Sequence, residues 1–356
     1  MTLNSHPSER CVCFHTPPLI NLSKAFVGES DASCSTALYS SLSHWGWCHI
    51  ALQSSLLPFH FEKSKFESYF QSFKPDSEKG VIYRGRCSES GSAQSEPKQS
   101  LEVQRCGDSS TALHDAMDVL RHIALSVSRQ LGIPKNVLLH EAKCQGDCNY
   151  HGRGCKCNLD LMRVFLYDPC YPALGSSPHT DWGSWTVVWQ DSSGGLQTYC
   201  SIHDAYVDVT SPTAETGALQ SQNYVYFVLH VGDISSLAIG HILGRPDKFP
   251  SPRHRVICPR ESPRVSLVYF AYPPPQRTLK EIEDDLQCVS LFELNSVCHN
   301  HSTLSYDSYF LLKNQNPGGE MDDSESVYRR IREKSMDEVL SEKWRQVQRE
   351  IDHTVI

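Results

Sequence analysis

The sequence lacks any apolar run near the roughly 18 residues that a membrane-crossing helix needs. No membrane role is therefore expected. It also lacks a basic block, and its net charge is −8 at pH 7, so nucleic acid is not an expected partner. Met1 to Arg10 is polar and has no basic-then-apolar order of a secretory leader. The expected location is cytoplasmic. No internal repeat is visible. What remains is ordinary for a globular chain of 356 residues: 39% hydrophobic and 21% charged, enough to bury a core.

Cysteine is not scarce. The 15 cysteines are odd in number and scattered, which fits free thiols packed as small apolar residues in a reducing compartment. Cys144, Cys148, Cys155 and Cys157 lie closer together, threaded with Gly146, Gly152 and Gly154. Four thiolates in such a loop could close a zinc tetrahedron. The spacing matches no standard zinc pattern, and a flexible loop with unremarkable thiols is the preferred reading.

Three textures follow one another along the chain. Pro17 to Leu22 and His44 to Ile50 read as strands, and 75 to 100, rich in Ser, Lys, Glu and Gly, reads as an exposed loop. Leu113, Met117, Leu120, Ile123, Ala124, Val127 and Leu131 recur at helical spacing, predicting a helix over about 111–131 that Gly132 and Pro134 end. From Leu159 to Tyr272, short apolar stretches alternate with Gly, Pro and Ser turns, the pattern of a β-sandwich or barrel. Residues 208 to 223 read as an insertion between two of those strands. Ser335-Met336-Asp337-Glu338 is a capping-box signature that opens a last helix.

His179-Thr180-Asp181 is the first candidate site. On a strand, residues two apart point to one side, so an imidazole and a carboxylate could share a metal ion. Two histidines and one carboxylate with open positions beyond them suit non-haem Fe(II). The motif alone decides little: 17 His and 41 acids give about two His-x-acid pairs by chance, and the chain has two, the other being His60-Phe61-Glu62. Context separates them. After Asp181 come Gly194-Gly195-Leu196-Gln197, then His254-Arg255-Val256, then Arg264-Val265-Ser266. In the last of these a guanidinium and a hydroxyl share one side of a strand, a clamp for a carboxylate. His60 has no such company, and Glu62 reads as a surface acid.

The run Pro178 to Gly183, with Gly194 to Gln197, Val231-Gly232-Asp233, His254 to Val256 and Arg264 to Ser266, resembles the isopenicillin N synthase-like family of 2-oxoglutarate- and Fe(II)-dependent oxygenases. Pro18 to Leu22, Trp45-Gly46-Trp47 and Lys98 to Gln104 resemble that family's N-terminal region, and Arg329 to Arg332 with the last helix is compatible with its tail. The resemblance implies a mainly β fold with flanking helices: a double-stranded β-helix (jelly roll) core over 158–275, a helical N-terminal region over 1–150 and a mostly helical extension over 276–356. It implies Fe(II) held by His179, Asp181 and His254. It implies 2-oxoglutarate held by Arg264 and Ser266, with Tyr167 from an earlier strand joining the clamp, and O2 as oxidant; ascorbate is a further candidate.

The implied activity is oxidation, chiefly hydroxylation, of a small organic molecule. Two departures stand out: Phe165 occupies a position where the family often has Asn, and the interval from Asp181 to His254 is long. Phe165 with Trp182, Trp185 and Trp189 would line an apolar pocket, although core packing is at least as good a reading of each tryptophan. Asp233 reads as a turn residue. Two other functions stay open on the same fold: an Fe(II) oxidase that does not use 2-oxoglutarate, and a non-catalytic binding protein. Oligomeric state is not readable.

Overall fold

The computed structural model describes residues 17–72, 81–85, 96–104, 111–140, 159–200, 204–209, 223–243, 248–289, 331–342 and 345. The Cys144–Cys157 cluster, most of the 208–223 insertion and the segment 290–330 lie outside the described residues.

Two sheets face each other. The larger has eight strands in the order β1 (Leu19–Asn21), β2 (Trp47–Gln53), β10 (Tyr224–Val231), β7 (Trp185–Gln190), β12 (Arg264–Ala271), β5 (Leu161–Tyr167), β4 (Lys98–Val103) and β3 (Val81–Gly85). The smaller has four: β6 (Leu174–His179), β11 (His254–Ile257), β8 (Leu196–Cys200) and β9 (Ala205–Asp208). Only β1 with β2 is parallel; the other pairs are antiparallel. The core is a jelly roll, mainly β with helices outside. The large sheet runs on through β1–β4, so the N-terminal strands extend the same sheet that carries β5, β7, β10 and β12.

Strand alternation sorts the side chains into two environments. One face of the large sheet carries Cys48, Ile50, Leu52, Val164, Trp185, Val187, Trp189, Leu229 and Leu267. It packs on α4 (Ala112–Gln130), whose buried stripe includes Leu113, Met117, Leu120, Ala124 and Val127. The Trp185 indole N–H donates to Ser128 Oγ on that helix at 3.0 Å, and Trp189 meets Phe61 and Phe66. Trp182 also packs against this cluster. The three tryptophans therefore brace sheet against helices and do not line the space between the sheets. The opposite face turns Trp47, Phe165, Tyr167, Val188 and Val228 toward Leu196 and Val256 of the small sheet. The polar members of the same parity, His49, Gln190, His230, Arg264 and Ser266, are buried there too.

Several elements differ from the sequence expectation. His44 and Trp45 end the helix α2 (Ala32–Trp45), which Gly46 terminates with φ of 71°; the strand begins only at Trp47. Within the expected loop of 75–100, β3 and the start of β4 are strands that extend the large sheet, and Lys98 is buried. The capping box at Ser335 forms: Glu338 N–H donates to Ser335 Oγ, and Ser335 N–H to the Glu338 carboxylate. It opens a helix over 336–342. The α4 stripe sits under the large sheet, and Leu120 is fully buried. Leu120→Ala is expected to cost about 3 kcal/mol in urea unfolding, from lost transfer energy plus a cavity. A cost below about 1 kcal/mol would contradict the packing described.

Candidate iron and cosubstrate site

Antiparallel register brings the distal histidine to the first one. His254 opens β11 directly opposite His179, the last residue of β6, and opposite Thr198 on β8. The imidazole centroids are 4.3 Å apart. Each ring is oriented by a backbone carbonyl two residues upstream: His179 Nδ1 lies 2.7 Å from Ser177 O and His254 Nδ1 3.0 Å from Pro252 O. A carbonyl can only accept, so both Nδ1 atoms carry a proton, and both rings turn Nε2 toward Asp181. Burial, then the neighbouring His254, lowers the His179 pKa to about 4, so its imidazole is neutral near pH 7. Ser177 is itself fixed, because its N–H donates to Glu96 Oε1 at 2.7 Å and Glu96 pairs with buried Lys98 at 2.9 Å.

Asp181 is not on the strand. β6 ends at His179, and the carboxylate comes from the turn that follows. That turn is docked on the start of α5 (Asp233–Ile242). Gly232 N–H donates to Ser184 O, Asp233 N–H to Asp181 O and Ile234 N–H to Gly183 O, at 2.9, 2.7 and 3.2 Å. The first N–H groups of a helix have no intrahelical partner; here the turn supplies the acceptors. Asp233 is no ligand. It is the first residue of α5 and accepts from Thr180 Oγ1 at 3.2 Å. The approach requires glycine at 232, where a Cβ would lie 2.0 Å from Gly183 O.

The result is a compact donor set. Asp181 Oδ1 is 3.8 Å from His179 Nε2 and 3.7 Å from His254 Nε2, and the three ligand atoms lie within 4.8 Å of one another. Burial alone would raise the Asp181 carboxyl, but His254, with His230 and His179, outweighs it and holds the group well below the usual carboxylate range. An anionic oxygen and two imidazoles on one side, with Asp181 only 5% exposed, fit a 2-His-1-carboxylate ion site. His60 and Glu62, the competing pair, are exposed.

Across the cavity, Arg264 is 1% exposed. Its guanidinium donates to Gly194 O at 2.6 Å, Ser266 Oγ at 3.0 Å and Gln190 Oε1 at 2.9 Å. It lies 4.8 Å from the centroid of the Tyr167 ring, which faces it from the paired position on β5. Three of five N–H donors are thus used, leaving two for a carboxylate. Gly195, with φ of 95°, lets the preceding turn come under the arginine: a Cβ there would meet Ile257 O at 2.6 Å and Arg264 Cδ at 3.7 Å. One inward pair, Leu196 and Val256, separates His254 from this end. A two-residue strand step is roughly 7 Å, the span of a short diacid held by a metal at one end and a guanidinium at the other.

Residues 157–273 match the family model described as the 2OG-Fe(II) oxygenase superfamily. The chain is 38% identical over 114 residues to 1-aminocyclopropane-1-carboxylate oxidase homolog 9 of Arabidopsis thaliana, covering 31% of this chain and 26% of that protein. It is 31% identical over 157 residues to deacetoxyvindoline 4-hydroxylase of Catharanthus roseus, covering 42% and 34%. The matches thus span about a quarter to a third of these relatives. A full-length Neurospora crassa protein, solved in complex with alpha-KG, superposes with a TM-score of 0.50 at 17% identity over 74% of this chain and 87% of its own, a likeness of fold.

The sequence pattern pointed to the six residues that the structure gathers here. It did not point to Gln190, Glu96, Lys98 or His230, polar residues isolated in strands. The 181–184 turn depends on the close approach at Gly232. Gly232→Ala is expected to displace the 181–184 turn and weaken metal binding at least about tenfold, measured by calorimetry with Mn(II) on folded protein. Affinity equal to the wild type would show that the turn does not depend on that close approach.

Proposed function

We propose that the protein is an Fe(II)- and 2-oxoglutarate-dependent dioxygenase that oxidises, chiefly by hydroxylation, a small organic molecule. The observation that carries this reading is the built guanidinium end placed one residue pair from the His179–Asp181–His254 cluster, between the same two sheets. The proposed units are the oxygenase core at 158–275, an N-terminal region at 1–150 and an extension at 276–356. No helix among the described residues is long and apolar enough to cross a membrane. Six described cysteines are free thiols, which supports a cytoplasmic location.

His179 and His254 would hold the metal through Nε2, and Asp181 through Oδ1. Arg264 and Ser266 would take the far carboxylate of 2-oxoglutarate, with the Tyr167 face packed against the guanidinium. When bound, the metal and its cosubstrate supply the oxidising chemistry, in which O2 is consumed, 2-oxoglutarate becomes succinate and CO2, and a substrate C–H bond becomes C–OH. The protein's own part is to position and to exclude water. Phe165, Val188, Leu196 and Val256 pack between the two ends, so a diacid reaching from one end to the other would be shielded, its charge met only at the built positions. A second reading, an oxidase that uses no 2-oxoglutarate, leaves the two remaining Arg264 donors to a substrate carboxylate.

Succinate release separates these readings. Chelation followed by Fe(II) reconstitution is expected to abolish and then restore 2-oxoglutarate-dependent succinate formation. Arg264→Gln is expected to raise the KM for 2-oxoglutarate by about tenfold or more, a loss of roughly 1.4 kcal/mol of carboxylate binding. Substrate turnover that proceeds without 2-oxoglutarate would end the proposal in favour of the oxidase.

A further inference from the structure

The two oxygens of Asp181 face different groups. Oδ1 faces the Nε2 atoms of His179 and His254. Oδ2 turns the other way and meets His230 Nδ1 at 3.6 Å. His230 is fully buried, next to last on β10, with its side chain on the cavity face and its ring 4.7 Å from that of His254. Among the described residues, neither Asp181 Oδ2 nor either ring nitrogen of His230 has a hydrogen-bond partner. A buried carboxylate oxygen without a donor is costly, and so is a buried imidazole N–H without an acceptor. Each group supplies what the other lacks, and about 0.6 Å of approach makes a normal N–H···O bond.

We propose that His230 is a positioning residue for the metal centre. Its Nδ1–H donates to Asp181 Oδ2, reserves Oδ1 for the ion and stops the carboxylate from rotating. The site is thereby oriented on three sides: Ser177 O and Pro252 O align the two imidazoles, and a buried side chain aligns the carboxylate. The partners of metal ligands commonly matter this much, and their loss typically weakens binding 10- to 100-fold. The inference rests on the metal-site reading above and adds a residue whose role is not coordination.

The test is metal binding by the full chain, measured anaerobically by calorimetry with Fe(II) and by the visible spectrum with Co(II). His230→Leu, similar in volume and without a donor, is expected to bind metal about 10- to 100-fold more weakly, with an altered Co(II) spectrum. His230→Asn puts an amide N–H where Nδ1 stands and is expected to retain most of the affinity. His230→Gln puts it at the Nε2 position and is expected to behave like His230→Leu. The Asn and Gln pair decides the matter even if the leucine variant fails to fold. Wild-type affinity in His230→Leu, or equal affinities in His230→Asn and His230→Gln, would overturn the proposal. His179→Ala serves as the control. If wild type binds no better than this control, the metal-site reading itself fails. If those two differ while His230→Leu matches wild type, only the role of His230 falls.

Discussion

The site depends on one docking contact, the turn of residues 181–184 on the first N–H groups of α5. Three backbone hydrogen bonds close it. They join the end of β6, which belongs to the small sheet, to the end of β10, which belongs to the large one. Without that contact the carboxylate has no fixed relation to the histidines, since β6 has already ended at His179. The same bonds cap a helix that would otherwise expose unpaired donors. Local helix chemistry and the geometry of the candidate centre are therefore one constraint. Glycine at 232 is its sequence trace.

The rest of the cavity follows from strand parity. The large sheet is covered on both faces, by helices on one side and by the small sheet on the other. Its outward residues are aliphatic and aromatic and pack on α4. Its inward residues include a buried arginine, two histidines and hydroxyls. Burying such groups costs free energy unless they are paired. The arginine is held by Gly194, Gln190 and Ser266. Others, such as Thr186 Oγ1 and His49 Nε2, have no partner among the described residues. A core built only for stability would not keep them. Their concentration on one face marks the space between the sheets as a place for polar ligands.

Legibility in the sequence followed the same division. Short strands between Leu159 and Tyr272 and the α4 stripe were readable because each has a clean period. His179, Asp181 and His254, and the pair Arg264 and Ser266, could be singled out because their order resembles that of a known family, although it is the turn docked on α5, and not a shared strand face, that brings Asp181 to His179. For Trp185 and Trp189 the sequence left pocket lining and core packing open, because a strand buried on both faces does not reveal which parity meets the small sheet; the structure packs both in the core. His230 and Gln190 were hidden for that reason: each is one polar residue in an apolar run, and only pairing with neighbouring strands shows which way it faces. Glu96 and Lys98 sat in a stretch whose composition resembled a loop. Their strand exists because it pairs with β5, a long-range contact that composition does not carry.

The central claim is that one cavity holds a metal at the His179–Asp181–His254 end and a diacid reaching from it to Arg264. Anaerobic addition of 2-oxoglutarate to the Fe(II)-loaded chain tests both halves together. The expected result is a visible charge-transfer band that saturates at one cosubstrate per chain and is lost when His254 is replaced by alanine. Absence of the band in metal-loaded wild-type protein, or its persistence in that variant, would contradict the claim.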